Sequence, residues 1–138
     1  MLKKLILTAT LLLSALNAWA AEDTAETRPL FLRGEMNNWE APDAAQLAQQ
    51  EPGVLMAKAD LKASHGAYKF KFADAKWKGD TTFGQFDPTA KLTLESPIQA
   101  KAGYQWSDMR FTPEADGSYG FVLDRRDPKH IQVSIKKL

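Results

Sequence analysis

The chain contains no cysteine and only two histidines. Without cysteine there is no disulfide, no thiolate nucleophile and no thiolate metal ligand. His65 and His130 lie far apart beside turn residues, and neither has a second ligand at metal-binding spacing. The sequence also lacks a phosphate-binding glycine loop and a nucleophile elbow around any of its serines. These absences argue against metal, thiol, serine and nucleotide chemistry, and we expect no cofactor.

An excess of charge of one sign is missing as well. The chain has 18 basic and 17 acidic side chains, spread without a cluster. Nucleic-acid binding needs a basic stripe, so we expect no nucleic-acid partner. The carboxylates mostly fall in turns, where Asp is expected for backbone reasons. A glycosidase needs two carboxylates across a cleft, so the sequence predicts a protein that is not an enzyme.

Long hydrophobic runs are absent except at the N-terminus. The apolar run over residues 5–16 follows Lys3 and Lys4 and is shorter than the roughly 20 residues of a membrane span. Small residues precede a predicted cleavage between Ala20 and Ala21, as signal peptidase requires. We expect a bacterial periplasmic or secreted protein with no membrane anchor after cleavage.

This interpretation divides the chain into three parts. Residues 1–20 are predicted to be a signal peptide, and the polar residues 21–28 are predicted to be a flexible tail. Residues 29–138 are then predicted to form one domain, which is long enough to bury a core without disulfides or a structural metal ion.

Within that domain, short apolar alternations are separated by turn residues, and no strong helical period occurs. The predicted strands cover residues 30–33, 54–61, 68–72, 91–95, 104–111, 119–123 and 131–135, and residues 81–86 are predicted to be a short strand or an extended loop. Residues 40–52 are predicted to be a loop with at most one short helix, and strands 54–61 and 68–72 are predicted to form a hairpin. This pattern favours an all-β sandwich of about seven to nine strands.

Two tryptophans lie at unusual places in this pattern. Trp39 follows the turn residues Gly34, Asn37 and Asn38, and Trp77 follows a second polar turn. An aromatic ring at a strand end can offer a rigid face on which the C–H groups of a sugar ring stack. The alternative is that both rings cap the open end of the core, and the residues alone leave the two interpretations about even.

The sequence around these tryptophans resembles a known family. Residues 31–39 (FLRGEMNNW), residues 66–74 (GAYKFKFAD) and Trp77 look like the glycogen- and starch-binding modules with an early-set, immunoglobulin-like fold. Such modules occur in the beta subunit of the AMP-activated kinase and ahead of the catalytic barrel in pullulanases and glycogen branching or debranching enzymes. The resemblance covers about residues 30–86, and a weaker similarity continues through residues 117–124 to the last strand.

The resemblance implies a non-catalytic module that binds an α-glucan, either glycogen, starch or a maltooligosaccharide. It implies stacking on Trp39 and Trp77, with a polar contact from Lys69. One extra residue before Trp77 leaves Lys71 as the alternative lysine, and Asn38 is a further expected contact. Residues 126–130 do not match the family's polar loop.

The main alternative is a module of the same fold that binds no sugar and docks on a periplasmic enzyme or an envelope protein. The aromatic segment 104–111 favours it, because this predicted strand could place apolar groups on both faces. The segment could equally be a central strand that is buried on both sides.

Overall fold

The computed structural model describes residues 24–138, and the predicted signal peptide with its cleavage site at Ala20 and Ala21 lies outside them. The strands of this part are β1 Phe31–Gly34, β2 Ala48–Glu51, β3 Val54–Leu61, β4 Tyr68–Ala73, β5 Thr82–Gln85, β6 Ile98–Ala102, β7 Met109–Phe111, β8 Gly117–Asp124 and β9 Ile131–Lys137. Single 3-10 turns cover Glu35–Asn37, Asp43–Ala45, Ala63–His65 and Gly79–Thr81. None of the helices in residues 24–138 could span a membrane.

The strands pair antiparallel in the order β1-β4-β5-β6-β9-β8-β3-β2. Strand β4 has three partners, because β1 covers one edge while β7 and β5 share the other. The sheet curls on itself and forms an all-β sandwich, as the alternation predicted. Aromatic rings fill the space between the layers, and Phe70 of β4 meets Phe121 of β8 edge to face at 4.9 Å.

The predicted hairpin of residues 54–61 and 68–72 is wrong. Strand β3 pairs with β2 and β8, whereas β4 pairs with β1, β5 and β7. The connection crosses from one layer to the other through the turn Ala63–His65 and Gly66, whose φ is 80°. Alternation shows which face of a strand is buried, but it does not show which strand is its neighbour.

Two further predictions, the strand over residues 91–95 and the loop over residues 40–52, fail for local reasons. Residues 91–95 form no strand, because Thr93 and Ser96 exchange backbone hydrogen bonds in a tight turn and leave Leu94 45% exposed. The next strand, β6, begins only after Pro97. Strand β2 falls in the predicted loop, since all four of its side chains are exposed and show no apolar alternation.

Candidate functional site

A tight turn connects the end of β1 to Trp39. A Cβ on Gly34 would lie 2.5 Å from the Lys69 carbonyl oxygen, so only glycine fits where the chain leaves the sheet. The Asn37 side chain accepts a hydrogen bond from the Gly34 amide at 3.0 Å and donates one to the Leu32 carbonyl at 2.8 Å. The Trp39 amide then donates to the Gly34 carbonyl at 2.8 Å, which closes the turn. The glycine and asparagine turn predicted from the sequence therefore forms.

A second turn, after β4, carries Trp77. The Asp74 carboxylate accepts hydrogen bonds from the Lys76 amide at 3.0 Å, the Lys78 amide at 2.7 Å and the Thr81 hydroxyl at 2.8 Å. Burial by itself would raise the pKa of Asp74, but these donors together outweigh it and the pKa is lowered. The ionised carboxylate is thus part of the fold of this turn.

Both tryptophans have a strained backbone. Among residues 24–138, the non-glycine residues with positive φ are Asn38 at 55°, Trp39 at 63° and Trp77 at 59°. A residue of this kind costs on the order of 1–3 kcal/mol and persists only where its surroundings enforce the conformation. Such strain is concentrated at functional sites, and here it falls on three of the residues proposed from the sequence.

Arg33 joins the two turns. Its guanidinium donates to the carbonyl of Trp39 at 2.8 Å and to the carbonyls of Asp74 and Ala75 at 3.0 Å each. The same group lies 3.8 Å from the centre of the Trp77 ring. Burial lowers the pKa of Arg33 and nearby carboxylates oppose this shift, but an arginine remains charged at any ordinary pH. One buried cation therefore sets the positions of both tryptophans.

The two indole rings form an angled pair. Their centres lie 6.4 Å apart and their planes are tilted by 44°. Trp77 is 37% exposed, and Trp39 is half-buried. Neither ring caps the core, since both lie at the surface beyond the ends of β1 and β4.

The two candidate lysines have different surroundings. Lys71 is buried, lies 5.0 Å from the centre of the Trp39 ring and forms an ion pair with Asp108. Lys69 is on the same face of β4 but is exposed, and its backbone amide donates to Glu35. Asn38 is exposed at the tip of the first turn. The structure brings Lys71 to the tryptophan pair, while Lys69 lies one alternation further along the strand.

The loop between β6 and β7 forms a third wall. A Cβ on Gly84 would lie 1.9 Å from the Tyr104 carbonyl oxygen, so glycine is what allows this loop to lie directly on β5. The Ser107 hydroxyl donates to the Gln85 carbonyl at 2.8 Å and holds the loop there. Residues 104–108 are therefore not strand, and Trp106 is 91% exposed, which rules out the buried central strand.

The two tryptophan turns, β4 and the loop between β6 and β7 line an open cavity of about 520 Å³. Its lining residues are Trp39, Lys71, Trp77, Gln105, Trp106 and Asp108. Every tryptophan in residues 24–138 is among them. Within this range no group of His, Cys, Asp and Glu is arranged to hold a metal ion. The cavity offers aromatic faces, an ammonium group, one carboxylate and an amide, which suits a neutral ligand rich in hydroxyl groups.

Four residues of this arrangement were not in the sequence-based site: Arg33, Gln105, Trp106 and Asp108. Arg33 could have been noticed as a charge inside an otherwise apolar strand. Trp106 could have been noticed as an aromatic residue between Gln105 and Ser107, next to Asp108. No local pattern shows that this loop meets the other two turns.

No family model and no curated protein matches the chain. A solved structure does: the ligand-induced structure of the starch-binding domain of AmyP has a TM-score of 0.59, with 23% identity over 80% of this chain and 72% of that one. At this identity the likeness establishes a shared fold. Residues 24–138 therefore form an all-β sandwich similar in fold to a starch-binding domain, and the tryptophans of this part of the chain line one surface cavity.

Proposed function

We propose that this protein is a non-catalytic carbohydrate-binding module whose ligand is an α-glucan: glycogen, starch or a maltooligosaccharide. The observation that carries the proposal is the angled pair of Trp39 and Trp77, 6.4 Å apart and tilted by 44°. Two flat faces at such an angle fit a curved α-glucan better than a flat chain, because each sugar ring can stack on its own indole. The fold shared with the AmyP starch-binding domain supports the same ligand class.

The polar groups of the cavity complete the proposed contact. Lys71 can donate hydrogen bonds to sugar hydroxyls, and Asp108 can accept them. Asn38, in the turn after β1, and Lys69 of β4 are exposed, and the Lys69 backbone lies against Gly34, where that turn begins. They are proposed as outer contacts for a longer ligand.

Catalysis is not part of the proposal. Asp108 is the one carboxylate among the residues that line the cavity, and it is paired with Lys71. Hydrolysis of a glycosidic bond uses two carboxylates on opposite sides of the bond, so the cavity is better suited to binding than to cleavage.

The test is isothermal titration with β-cyclodextrin, or retardation in a native gel cast with glycogen. The single changes Trp39→Ala and Trp77→Ala should each lower the binding free energy by about 2 kcal/mol, which is about thirtyfold in Kd. The double variant should lose at least this much affinity. Leu94→Ala, which removes an exposed apolar side chain outside the cavity, is the control. Unchanged glucan binding in the double variant would show that the proposal is wrong.

A second candidate is docking on a periplasmic enzyme or an envelope protein. The near-complete exposure of Trp106, at 91%, is the observation that favours it. A pull-down from periplasm separates the two functions. A protein partner that stays bound through a maltodextrin wash supports docking, whereas release of the bound material by maltodextrin supports the sugar site.

Export to the periplasm or the medium remains a proposal from the sequence. N-terminal sequencing of the protein from a bacterial periplasmic fraction should begin at Ala21. A protein that still carries residues 1–20 in the cytoplasmic fraction would contradict export.

A further inference from the structure

A second pair of exposed aromatic residues lies beside the cavity. Phe86 follows β5 and is 40% exposed, and Tyr104 follows β6 and is 36% exposed. Their ring centres are 5.8 Å apart and their planes are tilted by 53°. Neither residue lines the tryptophan cavity.

This pair repeats the composition of the first site. The Lys101 ammonium lies 5.3 Å from the centre of the Phe86 ring, as Lys71 lies 5.0 Å from that of Trp39. Within residues 24–138, no hydrogen bond or ion pair involves the Lys101 ammonium or the Tyr104 hydroxyl, and both residues are exposed, so both groups are available to a ligand. Two tilted aromatic faces with a free ammonium and a free hydroxyl can contact a sugar by stacking and by hydrogen bonds.

The second pair and the tryptophan cavity share one short piece of chain. Tyr104 and Trp106 are two positions apart, so their Cα atoms are at most about 7 Å apart. Trp106 lines the cavity, and its 91% exposure leaves its ring accessible to a ligand that extends beyond it. The loop that closes the first site therefore also carries half of the second aromatic pair.

The exposed large hydrophobic residues are concentrated in this region of the surface. The large hydrophobic residues exposed in the described part of the chain are Trp77, Phe86, Leu94, Tyr104, Trp106 and Leu138. Four of these six, Trp77, Phe86, Tyr104 and Trp106, belong to the two aromatic pairs or to the loop between β6 and β7. Exposed apolar groups gathered in one region mark an interaction site, whereas scattered ones do not.

We propose that Phe86, Tyr104 and Lys101 form a second subsite for the same α-glucan, so that a long chain occupies the tryptophan cavity and continues past Trp106 onto this pair. The inference rests on the proposed function. Its consequence is that affinity rises with chain length beyond what the cavity alone accommodates, because the second contact is made by a ligand that is already bound.

The experiment compares a short and a long ligand, maltotriose and a maltodextrin of more than ten units, by titration calorimetry. Phe86→Ala with Tyr104→Ala should leave the maltotriose affinity unchanged and lower the maltodextrin affinity by about five- to tenfold. Leu94→Ala should change neither affinity. Lys101→Gln, which keeps both rings, gives a second measurement and should lower the maltodextrin affinity alone.

The outcomes separate this inference from the proposed function. Equal losses for both ligands, or no loss for either, would overturn the second subsite and leave the tryptophan site intact. Failure of the unmodified protein to bind either ligand would overturn both. Thermal unfolding of each variant serves as the check of folding, and Phe86→Tyr should retain the long-chain affinity because it keeps an aromatic face.

Discussion

Arg33 and Asp74 are the two buried charges on which the tryptophan turns depend. Arg33 is 7% exposed and Asp74 is 2% exposed. Arg33 donates to backbone carbonyls of both turns, and Asp74 accepts from backbone amides within the second turn. Because each charge satisfies several backbone groups, removing one leaves buried partners unpaired, which is more costly than losing a single bond.

Arg33→Lys should destabilise the fold and weaken glucan binding together. Lysine keeps the charge but loses the planar group that reaches three carbonyls and lies against the Trp77 ring. We expect a loss of about 2–4 kcal/mol in the free energy of unfolding, measured by urea denaturation.

The matched control for this change is Arg110→Lys, an exposed arginine on β7. It should shift the urea midpoint little, since surface charges contribute little. Similar midpoints for the two lysine variants would contradict the role assigned to Arg33.

Asp74→Asn should remove a pH-dependent part of the stability. The pKa of Asp74 is lowered in the folded state, so its contribution is present above the unfolded value, about 3.9, and is lost as the pH falls through the folded value. At pH 6 the unfolding free energy of the variant should be about 1–3 kcal/mol lower than that of the unmodified protein. Between pH 6 and pH 3 it should fall less steeply. Asp43→Asn, an exposed control, keeps the Asp74 carboxylate. If the unfolding free energy of Asp74→Asn fell as steeply with pH as that of the unmodified protein, this assignment would be refuted.

At the scale of elements, the loop between β6 and β7 is held by packing on β5 and not by strand pairing. Gly84 permits the close approach, and Ser107 exchanges hydrogen bonds with Gln85 across it. The loop presents Trp106 to the cavity without burying it. The position of the loop and the ligand contact of Trp106 can therefore be tested separately, by Gly84→Ala and by Trp106→Ala.

Trp106→Ala should weaken glucan binding without changing stability. An indole that is 91% exposed contributes little to folding, so the expected change in unfolding free energy is within about 0.5 kcal/mol. Affinity for maltoheptaose should fall about fivefold to tenfold if the ring contacts the ligand. Titration calorimetry gives the affinity, and unchanged binding would remove Trp106 from the site.

Gly84→Ala should displace the loop that carries Trp106. The new methyl group would lie 1.9 Å from the Tyr104 carbonyl oxygen and 2.5 Å from that of Ser107. Overpacking of this kind costs about 1–3 kcal/mol, seen in thermal unfolding together with weaker glucan binding. Gly79→Ala is the control, because its methyl group would find its nearest neighbour at 4.0 Å.

At the scale of the whole molecule, three connections that leave the sheet at different ends meet around one cavity. The turn after β4 and the loop after β6 start at the same end, because Ala73 pairs with Thr82 and Phe83 pairs with Ala102. The turn after β1 starts at the other end, where Gly34 pairs with Phe70, and the Arg33 guanidinium bonds it to the turn after β4. A ligand in the cavity would therefore contact segments that are distant in the chain. Binding of this kind stabilises the folded state as a whole.

Saturating β-cyclodextrin should raise the unfolding free energy of the protein. At a free concentration of 100 times its Kd the expected gain is about 2.7 kcal/mol, read as a higher Tm by calorimetry. The variant with Trp39→Ala and Trp77→Ala should show no such rise. A rise of equal size in that variant would place the ligand elsewhere on the protein.

Much of this architecture is predictable because it depends on local chemistry. The alternation of residues 54–61 and 68–72 specifies β3 and β4, and the first turn follows from the fit of Gly34 and the side chain of Asn37. Strand β2 was missed because an edge strand with exposed side chains has no apolar pattern.

The sequence by itself determined the two tryptophan turns and the faces of the main strands, since these follow from hydrogen bonds and sterics within a few residues. Only the tertiary structure decided that Trp39 and Trp77 lie 6.4 Å apart, that Lys71 and not Lys69 lies beside them, and that Trp106 joins them. The physical reason is that these distances depend on which strands pair, and pairing is set by the packing of the whole core.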